Sequence, residues 1–235
     1  DHFNTIVAAV REGRAIYDNI RKFVNYLLSS NMMEVAVIFL AIVAGWPIPL
    51  LPIHLLWINL VTDGLPAIAL GVDPARKNIM QSPPKVFSEQ IINSRFFQKM
   101  ALSSGFLTIA ILAVFSIYKG DVVHARTMAF TAVVLYELIR LISIRADYNL
   151  PLFSNKYLIV AVSTSIALQF ALLYLPWSIG GMSLQELFKV QPLGLIDWLT
   201  LTVVGIALYF VMRIAEITFF KTQVSTVIPA KVGIQ

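Results

Sequence analysis

Apolar residues run almost unbroken through six stretches, each near the roughly 20 residues a helix needs to cross hydrocarbon. They cover residues 23–45, 50–71, 98–118, 124–146, 156–176 and 197–219. The runs are continuous rather than alternating, which argues against a β-barrel. The fourth is the least apolar, because Glu137 and Arg140 interrupt it. The links are Gly45-Trp46-Pro47-Ile48-Pro49, a long polar loop at 72–97, a tight Lys119-Gly120-Asp121 turn, Asp147–Asn155 and an amphipathic loop at 177–196. Ahead of the first span, residues 4–22 predict an amphipathic helix. Asn4 is its cap, and Ile6, Val7, Val10, Ala15 and Ile16 supply apolar faces. It runs on into the span without a breaker. The pattern predicts an all-α polytopic membrane protein of six transmembrane helices, with an amphipathic cytoplasmic stalk helix.

Composition sharpens this. The chain is 58% hydrophobic and 13% charged, with a mean hydropathy of +0.77. Soluble domains carry about 25% charged residues. Cysteine is absent, so disulfides and thiolate metal sites are excluded. The net charge of +5 does not indicate nucleic acid, because the basic residues flank the apolar spans. The partner this implies is a lipid bilayer. Of the 18 Lys and Arg, only Lys119, Arg126 and Lys189 fall on one side of the alternating spans. That bias predicts both termini and the 72–97 loop on the cytoplasmic side. Trp46, Trp177 and Trp198 lie near the opposite face, where interface anchors sit. The chain begins without Met and on a polar helix rather than a signal peptide, so it is expected to be a piece of something longer. No internal repeat relates its halves.

The candidate chemistry lies inside the spans. Asn31 and Glu34 share one face of the first, at i and i+3. Asn59, Thr62 and Asp63 share one face of the second, at i, i+3 and i+4. Glu137 lies in the fourth. Counting at about 1.5 Å per residue puts all three groups near one mid-membrane level, roughly 12–17 Å deep. Charges at that depth cost about 2.5–3.5 kcal/mol each even on a mild scale, so they mark function. All six offer oxygen, which suits a hard cation such as calcium. Thr62-Asp63-Gly64-Leu65-Pro66 adds a predicted helix break at Gly64 and Pro66. Pro66 cannot donate to the Thr62 carbonyl, and broken helices beside binding sites recur in transporters.

Other roles were weighed against these. An intramembrane Asn or Thr can be interhelical glue. Glu137 could pair with Arg140 one turn on, and Arg140 would compete there with a bound cation. Glu34 and Asp63 have no basic residue within a turn. His2, His54 and His124 share no metal-ligand spacing and are read as structural. The 72–97 loop, with Pro74, Pro83 and Pro84, is read as a solvated connector, or more weakly as a docking segment for a cytoplasmic domain.

Two runs carry a family resemblance. They are Asn4-Thr5-Ile6-Val7-Ala8-Ala9-Val10-Arg11-Glu12-Gly13-Arg14-Ala15-Ile16-Tyr17 and Leu56-Trp57-Ile58-Asn59-Leu60-Val61-Thr62-Asp63-Gly64-Leu65-Pro66-Ala67. Over roughly residues 1–220 the chain resembles type II P-type ATPases, above all the sarcoplasmic/endoplasmic reticulum-type calcium pumps and their bacterial relatives. The resemblance implies the following organisation. Residues 1–22 are the end of the phosphorylation domain and the stalk, and 23–71 the first helix pair with ion-binding residues. Residues 72–97 form a cytoplasmic loop, and 98–220 a four-helix carboxy-terminal domain. The tail 221–235 departs from the family, shows no helical pattern and is expected to be disordered. The six spans would be the family's fifth to tenth. Asn31, Glu34, Thr62, Asp63 and Glu137 would form a first calcium site, and Asn59 and Asp63 would serve a second, completed by the family's fourth helix. Asn at position 59 resembles the calcium type, where sodium/potassium pumps have Asp. The secretory-pathway type, which has one site, lacks a carboxylate like Glu34.

The resemblance also implies partners. The Asp-Lys-Thr-Gly-Thr, Thr-Gly-Glu-Ser and Thr-Gly-Asp-Gly motifs do not occur in the chain. ATP and Mg2+ would therefore act only through actuator, phosphorylation and nucleotide domains outside it, with the first four helices. No catalytic residue is expected within it. Phosphorylation would move the stalk, tilt Asn31 and Glu34 away from Asp63, and let protons replace released calcium. A bacterial plasma membrane is the expected location. The alternatives are the same fold carrying Na+, Mn2+ or H+, a stand-alone cation carrier, and a non-catalytic fragment or complementing subunit.

Overall fold

The structure is a computed structural model that describes residues 2–81 and 92–218. Helix α1 runs unbroken from His2 to Val43, so Asn4, the expected cap, lies inside its first turn. It contains no proline, and its single glycine is Gly13. The stalk and the first span are thus one rod, about 63 Å long at 1.5 Å per residue. It stops where Gly45 takes a positive φ of 67°. The Trp46 amide then bonds the Ala41 carbonyl at 2.9 Å and the Gly45 amide bonds that of Ile42 at 3.0 Å, closing the helix end.

The second span has three parts: α2 (Pro52–Trp57), a π-helical turn (Ile58–Thr62) and α3 (Gly64–Gly71). Helices α4 (Ser94–Tyr118), α5 (Val122–Asp147), α6 (Lys156–Tyr174) and α8 (Leu195–Glu216) are the remaining spans. Among the described residues these give six helices long and apolar enough to cross a membrane, as in a multi-pass membrane protein. Three starts are capped by side-chain oxygens: Asn93 to the Phe96 amide, Asp121 to the Val123 and His124 amides, and Asn155 to the Leu158 amide.

Some boundaries differ from expectation. The Asn93 cap starts α4 at Ser94, so the last residues of the expected 72–97 loop are helical. Further back in it a 3₁₀ turn, Ile79–Gln81, lies against the stalk. Ile79 is buried there and its carbonyl accepts from Arg14 Nη1 at 2.9 Å. Residues 82–91 lie outside the described residues, as does the tail expected to be disordered. Helix α6 ends at Tyr174, two residues before Pro176. The expected 177–196 loop is a two-residue β-hairpin, Ser178–Ile179 with Met182–Ser183, followed by the short α7 (Leu184–Phe188).

Helix α5 is the hub of the bundle, buried along most of its length. Small residues such as Ala125, Ala129 and Ala132 let neighbours approach it. Gly205 of α8 does the same. A Cβ there would lie 3.1 Å from Ile139 Cδ1 and 3.2 Å from Tyr136 Cε1. Large apolar side chains such as Phe39, Leu60, Ile68 and Val203 stay on the outer surface, as lipid-facing residues do.

One end of the bundle is tied by a buried ion cluster. Asp73, just past α3, accepts from Lys22 Nζ at 2.7 Å and pairs with Arg145 Nη2 at 3.1 Å. Asn155 Nδ2 donates at 2.9 Å to Asp73 Oδ1, the oxygen that pairs with Arg145 Nη2, and Asn19 Nδ2 to the Asp73 backbone carbonyl at 2.9 Å. Lys22, Asp73 and Arg145 are all nearly sealed from solvent. The cluster joins α1, α3, α5 and the cap of α6. Removing one partner from a buried pair strands the other charges, at about 3–5 kcal/mol. Asp73→Ala is therefore expected to lower the thermal unfolding midpoint markedly in detergent, followed by tryptophan fluorescence. An unchanged midpoint would show that the cluster does not hold the helix ends together.

Candidate functional site

Three carboxylates from three helical segments converge in the bundle. Glu34 of α1, Asp63 between the π turn and α3, and Glu137 of α5 each offer an oxygen, and these oxygens lie within 4.8 Å of one another. All three residues are buried, with Asp63 at 0% exposure. Among the described residues, none of the ion pairs includes any of the three. One oxygen of Asp63 (Oδ2) and one of Glu137 (Oε2) have no hydrogen-bond partner.

Local backbone geometry explains how Asp63 reaches the cluster. The Asp63 amide bonds the Ile58 carbonyl at 2.8 Å, one residue further back than in an α-helix. Such π turns are frequent at functional sites. Thr62, also buried, donates its hydroxyl to the same Ile58 carbonyl at 3.1 Å. The expected break at Gly64 and Pro66 is thus not an unwound segment. The chain stays helical, because the wide turn absorbs the extra residue before the proline. Pro66 sits in the first turn of α3, where a missing amide is tolerated. An added Cβ at Gly64 would meet the Asn59 carbonyl at an ordinary 3.5 Å.

The other expected site residues divide. Asn59 joins the cluster by donating Nδ2 to both Glu34 oxygens, at 3.1 and 3.0 Å. Asn31 does not. It is exposed and donates to the Leu27 carbonyl of its own helix at 2.9 Å. The suggested Glu137–Arg140 pair is also not formed. Arg140 instead donates to Asn25 and Glu216. Two histidines fill structural roles. His54 accepts from the Leu51 amide at Nδ1, so Nε2 carries the proton and donates to the Phe188 carbonyl at 2.7 Å. His124 lies 3.0 Å from Asp197 at the start of α8.

Two site neighbours escaped the sequence reading. Tyr26 donates its hydroxyl to Asp63 Oδ1 at 3.0 Å, and Ser30 donates to Glu137 Oε1. Both are buried. Their signal was spacing: 26, 30 and 34 recur every four residues and so line one helix face. A tyrosine and a serine read in isolation look like packing.

The family description "Cation transporting ATPase, C-terminus" matches residues 47–218. The chain belongs to that family. It is also similar to a protein named calcium-transporting ATPase 1 from Bacillus cereus, at 34% identity across 92% of this chain. A calcium-transporting ATPase of Bacillus subtilis is 39% identical across 85% of the chain. One from Plasmodium falciparum is 31% identical across 84%. The chain spans 26%, 22% and 20% of those relatives' lengths, in the same order. Cation transport by a membrane domain agrees with a buried carboxylate cluster in a multi-pass bundle.

The two bonds from Asn59 fix the Glu34 carboxylate. Hydrogen bonds to charged groups are worth about 1.5–3 kcal/mol. Asn59→Ala is expected to weaken divalent-cation binding by about tenfold or more, a loss of that size. Equilibrium calcium titration checks this, and unchanged affinity would mean that Asn59 does not set the Glu34 geometry.

Proposed function

We propose that this chain is the carboxy-terminal membrane region of an ATP-driven calcium pump, with Glu34, Asp63 and Glu137 at the centre of its ion site. The observation that carries the reading is the meeting of three buried carboxylates from separate helical segments with no basic side chain paired to them among the described residues. Buried charge of one sign demands a compensating cation or bound protons. An oxygen-only donor set selects a hard cation. Calcium is chosen among such ions because the three similar proteins above are named calcium-transporting ATPases.

In this reading the first ion is held by Asn31, Glu34, Thr62, Asp63 and Glu137, and the second by Asn59 and Asp63, with the remaining donors from helices outside the chain. Calcium takes about six to eight oxygens. Asn31 and Asn59 present amide nitrogens to their present partners, so each must turn its Oδ1 inward when the ion arrives. Asn31 gives up a neutral bond worth about 1 kcal/mol and Asn59 its bonds to a carboxylate, worth about 1.5–3 kcal/mol, each for a metal contact. Thr62 needs no such change, since its oxygen keeps acceptor capacity while its proton is on Ile58.

The transport step follows from the rod. Helix α1 carries Ser30 and Glu34 and extends continuously to His2. A force applied to the stalk by a phosphorylation domain would shift Glu34 against Asp63 and open the site. The stalk part of α1 transmits that force, residues 23–71 carry most of the ligands, the link between α3 and α4 lies on the cytoplasmic side, and the helices from α4 onward support the site and supply Glu137. ATP and Mg2+ act on the actuator, phosphorylation and nucleotide domains of the whole pump. The chain sits in a bacterial plasma membrane with both ends cytoplasmic.

Calcium binding to the whole pump tests this directly. Asp63→Asn is expected to abolish saturable binding of radioactive calcium, with magnesium and sodium present as competitors. Unchanged affinity in that variant would remove Asp63 from the site. Glu34→Gln is expected to reduce the ions bound per pump from two to one, and a stoichiometry still at two would contradict the two-site arrangement.

A further inference from the structure

Arg140 lies three residues beyond Glu137 on α5, about one turn away on the same face. Both are almost fully buried, at 2% and 1% exposure. A guanidinium is permanently charged, so by position alone it is placed to neutralise Glu137. It does not do so. Its Nη2 donates to Asn25 Oδ1 of α1 at 2.8 Å, and its Nη1 to Glu216 Oε1 of α8 at 3.4 Å. Glu216 has further support. Ser143 donates to Oε1 at 2.9 Å and Arg213 Nη1 to Oε2 at 3.0 Å.

We propose that Glu216 is a positioning residue for the ion site: it holds the Arg140 guanidinium toward α8, which keeps a fixed cation off Glu137 and leaves that carboxylate to the transported ion. The proposal rests on the reading of Glu137 as an ion ligand. A buried arginine has to keep an anionic partner. When Glu216 loses its charge, the carboxylate one turn away is Glu137, whose Oε2 has no partner. A guanidinium binds a carboxylate through two parallel N–H bonds, and those would occupy the oxygens an ion needs. The reverse change is milder. Without Arg140, Glu216 still has Ser143 and Arg213, and Glu137 loses nothing that touches it.

That asymmetry supplies the test. Calcium affinity is measured by equilibrium titration of the whole pump in lipid nanodiscs, for the parent, Glu216→Gln, Arg140→Gln and the double variant. Glu216→Gln is expected to weaken binding by about tenfold or more, the effect of a close fixed charge on a site of low dielectric. Arg140→Gln is expected to change it by less than about tenfold, and the double variant to lie within about threefold of Arg140→Gln alone. A folded Glu216→Gln that binds like the parent overturns the proposal. So does a double variant as weak as Glu216→Gln, which would give Glu216 a role that does not run through Arg140. If Glu216→Gln does not fold, Arg140→Gln decides. A larger rise in affinity would show that Arg140 already competes at the site, and a larger fall that it supports the site; either overturns the proposal. A parent pump that binds no calcium overturns the reading beneath the proposal, and the proposal with it.

Discussion

Charge inside this bundle has to be balanced by other parts of the protein, because hydrocarbon offers neither water nor free counterions. The chain meets that constraint at two places and leaves it unmet at a third. Asp73 takes Lys22 and Arg145 as partners at one end of the bundle. Glu216 takes Arg140 and Arg213, and Asp147 takes Lys99, in a second group on α4, α5 and α8. Glu34, Asp63 and Glu137 take neutral donors only: Asn59, Tyr26 and Ser30. Neutral donors orient carboxylates without cancelling their charge. The basic residues that could cancel it are engaged elsewhere, and the negative balance at the site follows from how the other clusters are built.

The same clusters make the stalk a mechanical part. Lys22 and Asn19 bind the Asp73 region, Asp18 pairs with Arg76 at 3.0 Å, and Arg14 reaches Ile79. These bonds lie below the site on one continuous helix, and Asn25, Tyr26, Ser30 and Glu34 follow within the next few turns. Ser29 and Ser104 add a further tie, from α4 to the α1 backbone at 2.8 Å. A displacement of α1 cannot be absorbed by a hinge, since no proline or left-handed residue interrupts it before Gly45. It has to be taken up by side-chain contacts at the cluster or at the Asp73 tie.

Much of this was legible in the sequence, and the parts that were not share a cause. Six spans, the unbroken stalk and the convergence of residues 34, 63 and 137 follow from periodicity and rise per residue, which are properties of the backbone. Partner choice depends on how helices rotate about their axes, and one chain's spacing does not specify that. Arg140 could be placed near Glu137 by counting, yet its preference for Glu216, 76 positions on, required the packing of α8 against α5. Asn31 and Asn59 look alike in sequence, and each donates to the carbonyl four residues back on its own helix, yet only Asn59 also reaches Glu34. Tyr26 and Ser30 were hidden for the same reason, since a face is defined by what it meets.

The π turn shows how a local rule can be read correctly in cause and wrongly in form. Pro66 removes an amide, and a break was the direct expectation. A bundle core has no water to satisfy the freed carbonyls, so a true break there needs other donors. One residue of extra winding between Ile58 and Asp63 is a more economical solution. It keeps the segment helical, with Asp63 in the carboxylate cluster and Asn59, one turn earlier, opposite Glu34. Asp63 thus reaches the carboxylate cluster while the segment stays helical, and what surrounds it there are side chains from separate helical segments rather than freed backbone carbonyls.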